Sequence, residues 1–375
     1  MTARSPHEPH RASTPLELFF DLVFVVAIAE AASALHHAVA GAHATDGLFS
    51  FAMVFFAIWW AWMNFTWFAS AYDVDDVRYR IAVFVQMFGA LIIAAGVPDM
   101  FATHAANLTV LSGYVVMRFA TVSQWLRAAA SDPERRPTAL RYAAGISVVQ
   151  LAWIGMFVFS HLSGAVFVIL AAVELAVPVW AERVSPTTWH PHHITERYGL
   201  LTLIVLGESI LSATVAIQSA LAAGEALAGL VPLIAGGWLI ACSMWWMYFD
   251  RPVHDLLTNL RKAIVWGYGH YFVFASAAAV GAGLAVNVDE VTHHARIGAV
   301  GAGAAVAIPV AIFLVTLWFL HDRPEYRQSR WFGPVAALLV LLTPYTGQGV
   351  LLTGVVLASV IGIKLVMGRE RHGSG

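Results

Sequence analysis

The sequence predicts an all-α, polytopic integral membrane protein of about 12 transmembrane helices, and three observations carry that prediction. Hydrophobic residues make up 59% of the 375-residue chain and charged residues only 12%, a balance too apolar for a globular surface wetted by water. Apolar runs of the length a bilayer core demands, about 20 helical residues, recur along the whole chain. Of the 21 lysines and arginines, all but Arg118 and Arg296 fall in the two tails, in alternate loops or at the span ends that border them. That asymmetry is the positive-inside signature of a chain with both termini in the cytoplasm.

The runs lie at 16–38, 48–70, 79–98, 107–130, 138–160, 162–181, 196–221, 227–249, 262–286, 295–320, 331–344 and 347–367. The first follows a tail of residues 1–15. Ala32-Ser33-Ala34 imitates a signal-peptidase site, but Glu17 and Asp21 suit a retained helix rather than a cleavable apolar core. The second run is rich in tryptophan, with Trp59, Trp60, Trp62 and Trp67 at depths too varied for all of them to sit in an interfacial belt. Asp73, Asp75 and Asp76 precede the third run, whose start is basic at Arg78 and Arg80; the acids read as a solvated loop that caps the next helix before they read as a cation site.

The fourth run carries Arg118 near its middle. Arg127, Arg135, Arg136 and Arg141 separate it from the fifth, and Arg183 ends the sixth. A linker, 182–195, leads to the seventh, which opens on Glu196 and Arg197. The eighth holds Cys242, the single cysteine, with Trp245 and Trp246; one cysteine excludes an intramolecular disulfide. Arg251, Arg261 and Lys262 precede the ninth run, and Asp289, Glu290, His293, His294 and Arg296 follow it on the predicted outer side, where His43, Asp46, Asp99, His104 and Glu225 also fall. Gly281, Gly283, Gly298, Gly301 and Gly303 allow close helix approach in lipid. Arg323, Arg327 and Arg330 come before the eleventh run, which at 14 residues reaches only about 21 Å. A short tail, 368–375, ends the chain.

An internal repeat divides the spans into two halves, 16–181 and 196–367. ELFFDLVFVVAIAE from Glu17 parallels ERYGLLTLIVLGES from Glu196, and Trp59 and Trp238 each stand 42 residues beyond those glutamates. The acidic loop with Asp73 and Asp76 matches one with Asp250 and Asp255. Six spans per half would leave the halves parallel, related about an axis along the membrane normal.

PLELFFDLVFVVAI from Pro15, WFASAYDVDDVRYR from Trp67 and ERYGLLTLIVLGESI from Glu196, in this order, resemble the bacterial low-temperature-requirement A family, LtrA. The likeness covers nearly the whole chain. It implies a polytopic membrane protein of a family named for growth in the cold, with Glu17, Asp21, Asp73, Asp76, Glu196, Arg197, Gly207 and Glu208 as motif positions. It brings no catalytic mechanism or substrate.

Ionisable groups inside lipid cost several kcal/mol unless paired or hydrated, so each is a candidate for function. Glu17 and Asp21, four residues apart, share one helix face, whereas Glu30, nine residues beyond Asp21, points to the opposite one. Glu30, Ser33 and His37 form a polar stripe leading outward. Glu30, Arg118, Glu174, Glu208 and His270 reach comparable depths and are the candidates for a proton or substrate pathway through a hydrated space at the midplane. Arg118 must face an acid or water, and a pairing that only fixes helix register is the competing reading. Glu17, Asp21, Asp73, Asp76, Glu196 and Arg197 are the candidates for a cytoplasmic gate, against the plainer reading of helix capping.

His190, His192 and His193 before Glu196 make a weak metal pattern, and His36, His37, His161 and His270 a weaker haem pattern, so neither metal nor cofactor is expected. No Walker loop, dinucleotide fingerprint, GxSxG elbow or HExxH motif is present, and the expectation is that the protein is not an enzyme. Its expected partners are the lipid bilayer of the inner membrane, protons and a small solute. A formal net charge of −2 offers no basic face to nucleic acid. A proton-linked secondary transporter or permease is the leading expectation; the alternative is a non-transporting scaffold or lipid-interacting stress protein.

Overall fold

The computed structural model describes residues 1, 3–5, 8, 11–103, 107–159, 164–322 and 331–372, with side chains to 366. His104, His161, Arg323, Arg327 and Arg330 lie outside the described residues. Among the described residues there are helices and no strands. Twelve α-helices follow in order: α1 Pro15–Ala40, α2 Ala44–Tyr72, α3 Val77–Thr103, α4 Leu108–Ser131, α5 Arg136–Phe159, α6 Gly164–Ala181, α7 Pro191–Ala222, α8 Leu227–Phe249, α9 Leu260–Val291, α10 Ala299–Leu317, α11 Phe332–Leu342 and α12 Gly349–His372.

Each expected run has its helix, but ten helices among the described residues are long and apolar enough to cross a membrane, where the sequence predicted about 12 spans. The two exceptions have different physical reasons. α4 is long enough, yet it spends its buried face on Tyr114, Arg118, Thr121 and Gln124, and its apolarity falls accordingly. α11 is apolar but only 11 residues long before the chain tightens into a 3-10 turn at Thr343–Thr346, roughly 16 Å of helix against a core of about 30 Å.

The helices form two compact units. Unit 1 comprises Met1–Ala31 and Phe49–Leu200, and unit 2 comprises Ala32–Leu48 and Leu201–Gly375, so α1, α2 and α7 each contribute residues to both.

In unit 1, α2 is the aromatic centre: Trp59, Trp60, Trp62, Phe65, Phe68 and Tyr72 are all buried. These tryptophans are interior residues and not an interfacial belt. Trp125 of α4 stacks on Tyr142 of α5 with ring centroids 4.1 Å apart. α3 and α4 approach until backbone meets backbone, because a Cβ on Gly89 would stand 2.7 Å from the Gly113 carbonyl oxygen and one on Gly113 would stand 2.6 Å from that of Gly89. Only glycine at both positions admits this crossing.

In unit 2, α9 is the central helix, with 83% of its span buried against 22% for α12. Gly281 and Gly283 are the small positions that matter: a Cβ on Gly281 would lie 2.7 Å from Ser209 Cα of α7, and one on Gly283 would collide with the Ala305 carbonyl of α10. Asn287 ties the same pair by donating to the carbonyl oxygens of Gly283 and Ala302 at 2.7 and 2.6 Å. Gly298 and Gly301, which the sequence grouped with them, make no such approach. Trp238, Trp245 and Trp246 are exposed, as residues turned toward lipid or the interface would be.

Candidate functional site

The first cluster of buried charge lies in unit 1, where α1 and α7 begin. α1 opens with a capping box: the Glu17 amide donates to Thr14 Oγ1 at 3.3 Å and the Thr14 amide donates to Glu17 Oε2 at 2.8 Å. The other carboxylate oxygen, Oε1, is 2.9 Å from His193 Nε2 in α7. The contact becomes an ion pair only when the imidazole is protonated. One turn deeper, Asp21 Oδ1 accepts from Arg197 Nη2 at 2.6 Å and from the Trp62 indole at 2.7 Å. Glu196 accepts the Ser13 amide at 3.1 Å. Glu17, Asp21, His193 and Arg197 are all inaccessible to solvent.

Arg197 therefore stands inside a helix, clamped to Asp21, and not in the loop where the positive-inside count put it. α7 starts at Pro191, a turn and a half before Glu196, because Pro191 suits a helix's first position.

The loop between α2 and α3 joins this cluster. Asp76 caps α3 by accepting the Tyr79 amide at 2.9 Å, and it receives both terminal nitrogens of Arg127. Asp75 pairs with Arg80. Asp73 instead turns inward and is 8% exposed, with Arg4 Nη1 at 3.6 Å. Arg11 donates to the carbonyl oxygens of Ala69 and Ser70 at the end of α2. Arg127 holds Asp76 well below the usual carboxylate range. Burial, and after it the charge of Glu17, pushes Asp73 up to about 6, against the pull of Arg11 and Arg4.

The folded protein thus keeps a proton on Asp73 at pH values where the unfolded chain has released it. Stability should fall as pH rises from about 4 to about 6, and Asp73→Asn should flatten that fall by on the order of 2 kcal/mol. Thermal midpoints of both proteins in detergent across this range check it; parallel pH profiles would refute it.

Demand for hydrogen bonds in the cluster exceeds supply. Among the described residues Asp21 Oδ2, Arg197 Nε and Nη1 and the Tyr79 hydroxyl are buried with no hydrogen-bond partner, an unusual concentration for a folded interior.

The second cluster of unit 1 is better paired than the first, although Arg118 Nη1 is likewise buried with no hydrogen-bond partner among the described residues. Arg118 Nη2 donates to Glu174 at 2.7 Å and to the Tyr114 hydroxyl at 2.6 Å. The indoles of Trp60 and Trp153 also donate to Glu174, at 2.7 and 3.0 Å. The acid that Arg118 had to face is Glu174, and the two side chains are 5% and 1% exposed. Four elements, α2, α4, α5 and α6, meet on this carboxylate.

Unit 2 contains a cavity of about 570 Å³. α7 brings Glu208, Ser212 and Ser219 to it; the end of α1 brings Ser33, His36 and His37; α9 and the turn after it bring Asp289, Thr292 and His294. Ser212 donates to Glu208 at 3.0 Å, and His36 Nε2 lies 2.7 Å from Asp289 Oδ2. His270 lies elsewhere in the unit, fully buried in a ring of aromatic groups: its Nδ1 donates to the Trp266 carbonyl at 2.8 Å, which leaves Nε2 to accept from the Tyr248 hydroxyl at 3.0 Å. In a neutral ring that pattern places the proton on Nδ1.

The profile of the bacterial low temperature requirement A protein family, LtrA, matches residues 12–367. The chain belongs to the LtrA family. This LtrA member is also 27% identical over 281 residues to an uncharacterized protein of Rhizobium meliloti (strain 1021), an alignment spanning 69% of the chain and 65% of that relative. No solved structure matches it.

Six motif positions of this LtrA protein thus gather in unit 1: Glu17, Asp21, Glu196 and Arg197 at the paired starts of α1 and α7, and Asp73 and Asp76 on the loop beside them. Glu208, the seventh acid or base of the motifs, lines the cavity of unit 2. Glu30 is exposed on α1, on the side away from buried Asp21, as its spacing required. The sequence reading passed over His193, Trp62, Trp60, Trp153 and Asp289 as partners. His193 and Arg197 carry a legible signal, since four residues apart they share a face as Glu17 and Asp21 do. The indoles carry none, because a tryptophan that packs and one that donates to a buried acid look alike in sequence. The weak histidine motif is used up locally: His190 donates from Nε2 to the Glu8 carbonyl at 2.9 Å, and His193 stands against Glu17.

Proposed function

We propose that this LtrA protein is a multi-pass protein of the bacterial inner membrane, with both termini in the cytoplasm, acting as a proton-linked permease for a small solute and not as an enzyme. The observation that carries the reading is the cavity of about 570 Å³ with a membrane-span carboxylate, Glu208, on its wall. Its volume is that of a ligand pocket, in the range of about 300–1,000 Å³, and a span acid beside imidazoles and hydroxyls is the ordinary equipment of a proton-coupled site. The under-partnered Asp21 and Arg197 support the same reading, because polar groups left without protein partners in an interior attract water. The two-half repeat in the sequence supports a transporter architecture. In this reading Arg118 and Glu174 fasten helices and do not touch solute.

Proteoliposomes loaded with a bacterial metabolite extract and given a pH gradient test it by mass spectrometry of their contents. At least one solute should redistribute with the gradient, and Glu208→Gln should reduce that movement by about tenfold or more. No redistribution in the wild-type protein would refute the permease. The full enclosure of the Arg118–Glu174 pair favours the second reading, a scaffold whose buried charges only join helices; there Glu208→Gln would change thermal stability alone.

A further inference from the structure

We propose that the unit 2 cavity is a site for small organic ammonium ions. The claim that such an ion crosses the membrane rests on the permease reading; its binding does not.

The charge of the lining is the argument. From α1 come His36 and His37, from α7 Glu208, from α9 Asp289 and from the following turn His294, and among the described residues neither lysine nor arginine lines the space. These groups bring two carboxylates and no fixed positive charge, a wall that would attract a cation.

The remaining lining decides what kind of cation fits. Ala32, Ala216, Ala220, Ala282 and Ala285 offer small apolar walls suited to methylene groups, while Ser33, Ser212, Ser219 and Thr292 offer hydroxyl oxygens to ammonium protons. A bare metal ion fits less well, because among the described residues no three histidine, cysteine or acidic groups converge as ligands, and about 570 Å³ is many times the space an ion fills.

Calorimetric titration of the purified full-length protein in detergent tests the site, with 1,4-diaminobutane as probe and 1,4-butanediol as its uncharged isostere. At about pH 8, higher than the range in which carboxylates take up protons, the diamine should bind and the diol should not. Glu208→Gln and Asp289→Asn should each weaken binding by at least about tenfold at the same pH, with thermal midpoints reporting that each variant is folded. Equal binding of diol and diamine, unchanged affinity in both folded variants, or preference for magnesium ions over the diamine would overturn the assignment. Diamine binding without solute movement in proteoliposomes would leave the site standing and remove the permease; solute movement without diamine binding would do the reverse.

Discussion

Arg197→Ala should cost this protein about 3–5 kcal/mol of stability, because it leaves Asp21 as an uncompensated buried charge. Asp21 Oδ1 would keep only the Trp62 indole at 2.7 Å, and Oδ2 has no partner among the described residues even in the intact protein. The guanidinium also stands 6.0 Å from the ring centres of Trp62 and Phe65, so its loss opens space among aromatic groups. Asp21→Asn should cost more than a surface substitution and less than Arg197→Ala, since an amide keeps an acceptor for the indole while Arg197 loses its counter-charge. The double substitution Asp21→Leu with Arg197→Met should recover most of the loss, as apolar replacement of buried pairs commonly does. Unfolding in mixed detergent micelles measures all of these, and a loss below about 1 kcal/mol in Arg197→Ala would mean that the pair is solvated and holds nothing together.

Arg118→Ala should be of similar size, about 3–5 kcal/mol, but its consequences should spread differently. Glu174 is the meeting point of three donors from α2, α4 and α5, and with Arg118 gone two indoles remain to hold a charged carboxylate in a closed interior. A double-mutant cycle with Arg118→Met and Glu174→Leu should therefore return a coupling energy of at least about 2 kcal/mol. Solute movement in proteoliposomes should persist in whatever fraction of the double variant folds, since neither group touches the cavity wall in the proposed function. Abolished movement in a fully folded double variant would place the pair in the pathway and withdraw its role as a fastener.

The fold was legible because lipid simplifies the code: length, apolarity and the placing of arginines suffice to mark each helix, and all twelve runs have one. What failed at α4 and α11 failed for reasons a hydrophobicity reading cannot weigh. α4 is tolerated with Arg118 and Gln124 because Glu174 and Gln86 meet them inside unit 1, a fact of tertiary pairing. The motif acids were legible as important and not as partners. Glu17 and Asp21 announce a shared face by their spacing, yet nothing in a linear chain says that α7 supplies His193 and Arg197 to that face. Glu208 was singled out by its depth and its place in the third motif; that a cavity opens beside it depends on the alanines of α7 and α9, which in sequence are indistinguishable from packing residues.

The glycine seam between α3 and α4 bears on how the chain is made. A segment as polar as α4 gains little by leaving the translocon alone, and an arginine at a helix centre costs about 2.5–3.5 kcal/mol in insertion. With Gly89 and Gly113 allowing the two backbones to touch, and Gln86 donating to Gln124 at 3.0 Å, α3 and α4 can pair as a hairpin as soon as both are made. The guanidinium then waits for α6 to be synthesised before it meets Glu174, so the order of translation sets when unit 1 can close.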